Sequence, residues 1–285
     1  MTEAVDLSQL PPPEVVETLD YEVILAARVA KLRAELTAAN ILLDWDPTRE
    51  SDTIVKLLQE SAYREMILRG RINDAARAVL LAHATDGNLD NLAAFYGVTR
   101  LADEKDERLR KRAQMALEGF TTAGPRKAYI FHALSADVRV KDVAVTKPAP
   151  GDIMITILST EGDGTASPEL LAIVAAALND EEIRPLNDTV LLQSATIIHY
   201  AISASLLLFS GPGEEAVLAA ARKDARAYAD ACHALGTMVA RSGLDAALHK
   251  AGVQKVNLFS PAGEIAPDAV SAAYCYGITV EKANG

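Results

Sequence analysis

The chain has 285 residues, half of them apolar and 24% charged, enough for two or three modules with cores of their own. Its 39 acids against 28 bases leave a net charge of −11, which argues against nucleic acid as the main partner, because phosphate binding needs a surplus of Lys and Arg. Two cysteines, Cys232 and Cys275, are too few for a disulfide framework, no apolar run approaches the ~18 residues of a membrane span, and the start, MTEAVDLSQLPPP, has no secretory core.

Residues 1–18 read as an extended arm, stiffened by Pro11, Pro12 and Pro13. A helix is expected over about Leu19 to Ala39. Beyond Asp46-Pro47, Ser51 is placed to cap a second helix with Asp52 in its first turn. Apolar or small residues at Ile54, Leu57, Leu58, Ala62, Leu68, Ile72, Ala76, Val79 and Leu80 recur at helical spacing. The run reaches about Ala84, roughly 30 residues and so ~45 Å long. A helix of that length cannot be buried in one small core, so it is expected to project and pack against something else.

The stretch HATDGNLDNLAAFYGV, residues 83–98, breaks this pattern and places Asp86, Asn88 and Asp90 two apart, as a calcium loop would. Counted from Asp86, the sixth position should be Gly and is Asn91; the twelfth should be Glu and is Gly97. The stretch therefore reads as a helix corner. Gly87 is expected to end the long helix as a left-handed cap, Asn88 to cap a short helix to about Tyr96, and Gly97 to end that one. A charged helix over about Asp103 to Glu118 stops at Gly119, and its basic run Arg108-Leu-Arg-Lys-Arg112 is balanced by the acids before it. Gly124-Pro125 starts the next helix, which carries Ala128, Tyr129, Phe131, His132 and Leu134.

Alternation takes over after Asp137. VRVKDVAV and DIMITIL read as strands joined by the loop TKPAPGD, and Ser167-Pro168-Glu169 caps and starts a helix to about Leu178. DTVLLQSAT closes a small β-β-α-β unit. A second unit begins with IIHYAISASLLLF, which sets Ile198, Tyr200, Ile202, Ala204, Leu206 and Leu208 on one face. A helix from about Glu214 to Leu235 follows, with a stripe at Val217, Ala221, Tyr228, Cys232 and Leu235. A shorter one is expected from a capping box at Ser242 and Asp245 to Gly252, and VQKVNLF and SAAYCYGITV are the closing strands. The fold class is α+β: an amino-terminal extended arm and long helices, then two small α/β units with mixed or antiparallel sheets. The expected divisions are 1–18, 19–136, 137–197 and 198–285.

Chemistry is sparse. Gly211-Pro-Gly213-Glu-Glu-Ala216 fits G-x-G-x-x-A between a strand and a helix, with Asp230 at the distance of a ribose-binding acid. Three physical objections oppose a dinucleotide site: the preceding strand alternates, Glu214 and Glu215 stand where a pyrophosphate needs positive potential, and Asp230 lies inside the helix. Gly162-Asp-Gly164 lacks the Gly-Lys-Ser/Thr of a phosphate loop. His83, His132, His199, His233 and His249 are scattered, and Cys232 and His233 point ~100° apart on a helix, so they cannot share a metal. The expectation is no enzyme, with no catalytic, cofactor-binding or metal-binding residues.

Several stretches resemble the baseplate assembly protein J (baseplate J-like, or baseplate wedge) family of contractile phage tails and phage-like particles. DLSQLPPPEVVETLDYEVILAAR is similar to that family's amino-terminal signature, and residues 50–100, from ESDTIVKLLQESAYREMILRGRIND to LAAFYGVTR, are the most specific match. EGFTTAGPRKAYIFHALSAD, GDIMITILSTEGDGTASPELLAIVAAALNDEEIRPLNDTV and GVQKVNLFSP continue it in order, so the resemblance spans nearly the whole chain. One departure is the short link after Arg100, where relatives can carry an insertion. The resemblance implies a structural wedge protein around the central hub and spike. Its implied partners are a second copy of itself, a companion wedge protein and a small lysozyme-like baseplate protein. It implies a place in the baseplate of a virion or tail-like particle, assembled in the bacterial host cytoplasm, and a ring that expands when the sheath contracts. The edge strands of the second unit are the expected place of ring closure. The alternatives are a nucleotide-binding enzyme through Gly211–Ala216 and a cellular helical adaptor.

Overall fold

The computed structural model describes residues 7, 10–11, 13–41, 46–119, 126–181, 183–209 and 213–283. Pro12 of the arm, the Gly124-Pro125 helix start and Gly211-Pro212 lie outside the described residues. The chain forms two compact units, one of residues 1–100 and 105–113, the other of 101–104 and 114–285. The architecture is α+β, with helices in the first unit and two three-stranded sheets in the second.

The first unit opens with a helical hairpin. Helix α1 spans Tyr21–Ala38 and starts at Asp20, whose carboxylate accepts the Glu22 and Val23 N–H groups at 2.8 and 3.3 Å. It ends on Asn40 at φ 50°, with the Ile41 N–H returning to the Leu36 carbonyl at 3.0 Å. Helix α2 spans Thr53–Ala78, 26 residues, so about 39 Å. Its cap is Asp52, which accepts from Ile54 N–H at 2.8 Å, and not Ser51. The helix also stops short of Ala84. The chain instead turns over residues 79–84, where the Arg110 guanidinium takes the Leu81 and Ala84 carbonyls at 2.7 and 2.6 Å. A distant side chain thus replaces the bonds another helical turn would have made.

Helix α3 spans Asp86–Phe95, so Gly87 lies inside a helix and does not end one, and Thr85 rather than Asn88 is the cap residue. Gly97 does end it, at φ 72°, with the Val98 N–H on the Ala93 carbonyl at 3.0 Å. Helix α4 spans Asp106–Gly119. Leu89, Ala93, Val98 and Leu109 are buried in this corner.

The second unit begins with α5, Arg126–Ala136, followed by β1, Val140–Ala149, and β2, Asp152–Ser159. The expected loop TKPAPGD is mostly strand: β1 runs through Pro148, and only Pro150-Gly151 turns, with Gly151 at φ 89°. Proline is tolerated there because β1 is an edge strand. Helix α6 spans Pro168–Leu178, capped by Ser167, which accepts from Leu170 N–H at 3.2 Å. It crosses to β3, Thr189–Ser194, giving the order β1-β2-β3 with an antiparallel and a parallel pair. Tyr129, Val143, Ile155, Ile157, Leu170 and Val174 fill the core between sheet and helices.

The second sheet has the order β5-β4-β6, with β4 (Thr196–Leu208) antiparallel to β5 (Val253–Ser260) and parallel to β6 (Ser271–Lys282). Tyr200, Ile202, Ala204 and Leu206 point into its core, as the alternation requires. Helix α7 spans Glu214–Cys232 and buries Leu218, Ala221, Ala225, Ala229 and Cys232, the small residues allowing close approach to the sheet. The stripe is therefore more alanine-rich than expected and ends at Cys232, short of Leu235. Helix α8 spans Arg241–Leu248, so Ser242 lies within it and does not cap it.

Candidate functional site

Of the calcium-like residues, Asp90 is engaged by its carboxylate and Asp86 by its backbone N–H in holding the corner together. Asp90 accepts from Arg100 Nε at 2.7 Å, Arg100 reaches Asp106 at 2.7 Å, and the other Asp106 oxygen accepts the Asp86 backbone N–H at 3.0 Å. That backbone bond first, then Arg100, holds the Asp106 carboxyl below the usual carboxylate range. No group of three metal-ligating side chains occurs among the described residues.

The formal dinucleotide motif is equally occupied. Gly213, at φ 105°, precedes α7, Glu214 is paired with Lys282 at 2.7 Å, and Glu215 with Arg222 at 2.9 Å. Asp230 sits on the last turn of α7. The Gly162-Asp163-Gly164 turn follows β2, with both glycines at positive φ, and Asp163 meets His199 at 3.0 Å. His233 contacts Lys141, and His132 meets the Gly119 carbonyl at 3.3 Å, its imidazole pushed below the ordinary value by burial. Cys232 and Cys275 are free thiols in the core of the second sheet. Hollows among the described residues include one of about 320 Å³ beside Arg126, Tyr129 and Asp188 and one of about 490 Å³ along α1 and α2. In the first, the Tyr129 hydroxyl donates to the Asp188 carboxylate at 2.7 Å, and burial, then that carboxylate, pushes the phenol far above its ordinary value.

The prominent features are surfaces. On α2 and its C-cap, Leu57, Leu68 and the cap residue Val79 are spaced by 11 residues, three full turns, and Ile72 lies beside them. These four are 58–68% exposed. The stripe lies roughly 120° around the helix from Val55, Ala62 and Asn73, which are buried. Buried Asn73 instead clamps the residues before α1: it accepts the Glu17 N–H at 3.0 Å and donates to the Glu17 carbonyl at 2.9 Å. Arg69 adds an ion pair to the Glu17 carboxylate at 2.9 Å. Arg28 ties α1 to Glu65 and Ser61 of α2, and this pairing keeps the Glu65 carboxyl below its usual range.

Arginines also occupy carbonyls of the outer strands in the second sheet. Arg222 takes Val280 at 2.8 Å, Arg226 takes Cys275 at 2.9 Å, and Arg241 takes Leu258 at 2.9 Å. Sequence reading missed these contacts; the only trace is the spacing of Arg222 and Arg226, one turn apart on α7. No helix among the described residues is long and apolar enough to cross a membrane.

Comparisons with known proteins give these surfaces a family context. Residues 50–105 match the Baseplate J-like N-terminal domain, and residues 121–194 the Baseplate J-like central domain. Baseplate protein J of Escherichia phage P2 is 45% identical over 293 residues, covering 95% of each chain. The chain belongs to the baseplate J-like family. In baseplate J terms, the N-terminal match contains α2, α3 and Arg100, stopping one residue short of Asp106, and the central match runs to the last residue of β3. The second sheet lies beyond both domain matches, and the similarity to the P2 protein reaches well into it.

Proposed function

We propose that this baseplate J-like protein is a non-catalytic wedge component of a contractile tail. It assembles with a second copy of itself and with a companion wedge protein. The wedge docks around the central hub and spike, near a small lysozyme-like baseplate protein, and helps trigger sheath contraction. Family membership supports the structural role and the place in a virion or tail-like particle, built in the host cytoplasm. The observation that carries the contact itself is the exposed stripe of Leu57, Leu68 and Ile72 on α2 with Val79 at its C-cap. Fully burying an exposed apolar side chain of this size contributes about 1.5–3 kcal/mol before association entropy is subtracted, so these four supply an apolar strip to which a partner adds its own contacts. We assign the arm (1–18) and helical part (19–136) to wedge assembly, and the units 137–197 and 198–285 to contacts with neighbouring wedges. Because arginines occupy edge carbonyls, ring closure rests on exposed side chains such as Phe259 and Tyr276 rather than on bare strand edges.

The test is co-expression with the products of neighbouring tail genes. The wild-type chain should co-purify with them. The double variant Leu68→Glu with Ile72→Glu should keep the melting temperature of the wild type, since both side chains are exposed, yet lose the partners. Wild-type protein that stays solitary in their presence sinks the wedge reading, and a double variant that still co-purifies sinks the role of α2. Nucleotide titration to millimolar ligand, expected to show no binding, checks the alternative at Gly211–Ala216.

A further inference from the structure

The two sheets meet at a small junction inside the second unit. One covalent link, Ser194-Ala195-Thr196, joins β3 to β4. The apolar part is confined to buried Leu158, Ala195 and Ala272, with Ile197 and Leu235 against them. Polar contacts do the rest. His199 of β4 meets Asp163 of the turn after β2 at 3.0 Å, and Asp142 of β1 accepts the Leu235 N–H at 3.1 Å. Lys141 of β1 points its Nζ at Nδ1 of His233, just past α7, at 2.9 Å. The fit is close: a Cβ on Gly164 would stand 2.8 Å from His233 Nε2. The Tyr274 ring lies edge-on to both imidazoles, at 5.8 and 5.4 Å.

An ammonium only donates, so this contact requires Nδ1 of His233 to be an unprotonated acceptor. The proton then resides on Nε2, which is buried beside the Asp163 backbone. We infer that His233 is a proton-operated latch: neutral, it holds the two sheets together through Lys141; protonated, it faces the Lys141 ammonium at contact distance and releases that side of the junction. The charged and titratable groups around it are Lys141 and Asp142 from β1, Asp163 from the turn, Asp230 from α7, Tyr274 from β6 and His199 from β4. Asp230 and Asp163 favour a proton on His233, whereas burial and then Lys141 oppose it, and the opposition prevails: the imidazole is held below its ordinary value. Burial likewise lowers the Lys141 ammonium. A base with a depressed folded pKa gives its full stabilisation above the ordinary imidazole range and loses it as pH falls below that range. On the Asp163 side, a proton on His199 only tightens the pair. Acid therefore opens one side, leaving the Asp163–His199 contact and the Ser194-Thr196 link as the pivot. None of this depends on the wedge reading.

Amide hydrogen exchange of the full chain, corrected for the intrinsic rate, tests the latch at about pH 7.5 and about pH 5.5, on either side of the ordinary imidazole value. Exchange in residues 158–166 and 231–237 should rise severalfold at the lower pH while α6 does not change. His233→Gln keeps an acceptor but takes no proton and should flatten the response; Lys141→Met removes the opposing cation and should reduce it, since burial of the imidazole remains; His199→Gln should retain it. Equal exchange at both pH values in the wild type overturns the latch, as does a response that survives in His233→Gln or vanishes in His199→Gln. Should His233→Gln fold poorly, ring NMR of the histidines decides: His233 should titrate higher in Lys141→Met than in the wild type, and an unchanged titration overturns the proposal.

Discussion

Tyr200 carries a phenol into the core of the second sheet, 6% exposed, and its hydroxyl has no hydrogen-bond partner among the described residues. It sits with the thiols of Cys232 and Cys275, and burial pushes its pKa far above the ordinary tyrosine value, so it stays neutral. An unsatisfied buried hydroxyl is a net cost of the order of 1–3 kcal/mol, and removing it leaves packing almost unchanged. Tyr200→Phe should therefore leave stability equal or raise it, by up to about 1 kcal/mol, measured by urea unfolding. A clear loss would show that the hydroxyl is bonded after all. Sequence alone gave the direction of Tyr200 through alternation, but not the missing partner, since that depends on α7 and β6 reaching the same spot from remote positions.

At the scale of elements, legibility followed locality. Helix α6 begins where Ser167-Pro168 says it should, and β4 buries Tyr200, Ile202, Ala204 and Leu206 of the face its alternation selects, while Ile198 is exposed and Leu208 half-buried towards the strand's ends; cap and pleat are fixed by neighbours in sequence. The end of α2 was illegible because it is set by Arg110, 29 residues on from Leu81. The candidate surface was half legible: its helical spacing is in the sequence, but only the packed hairpin shows which apolar residues remain outside. Helix α8 offers a test of the same contest between local preference and packing. Gly243 lies inside this helix, where alanine alone would gain about 1 kcal/mol. A Cβ there would overlap the Tyr228 ring and hydroxyl, and that hydroxyl accepts from Ala240 N–H at 3.2 Å and donates to its carbonyl at 3.3 Å. Overpacking of this kind costs about 1–3 kcal/mol, so Gly243→Ala should lower the melting temperature despite its better propensity. Adding Tyr228→Phe should recover part of the loss. A stabilised Gly243→Ala would mean that α7 and α8 are not locked through Tyr228.

For the whole molecule, the central question is how an assembly protein avoids assembling with everything. An open three-stranded sheet presents two strand edges, and edges template further pairing. The 12-residue β6 is long enough to do so. Yet α7 lies across it and sends Arg222 to the Val280 carbonyl and Arg226 to that of Cys275. Arg222 is further tied to Glu215 and thereby held in place. Guanidinium groups on these acceptors obstruct an incoming strand sterically and electrostatically, while exposed side chains such as Tyr276 stay available for specific contacts. The double variant Arg222→Ala with Arg226→Ala should therefore remain folded, because the core beneath α7 is built from Leu218, Ala221, Ala225 and Ala229. It should nevertheless self-associate with rising concentration, read as increasing mass in light scattering at concentrations where the wild type does not change. Added salt separates the mechanisms: strand pairing through backbone bonds persists or strengthens as repulsion between the acidic chains is screened, whereas association driven by surface charge weakens. A double variant as monodisperse as the wild type would show that β6 is guarded by something other than its arginines.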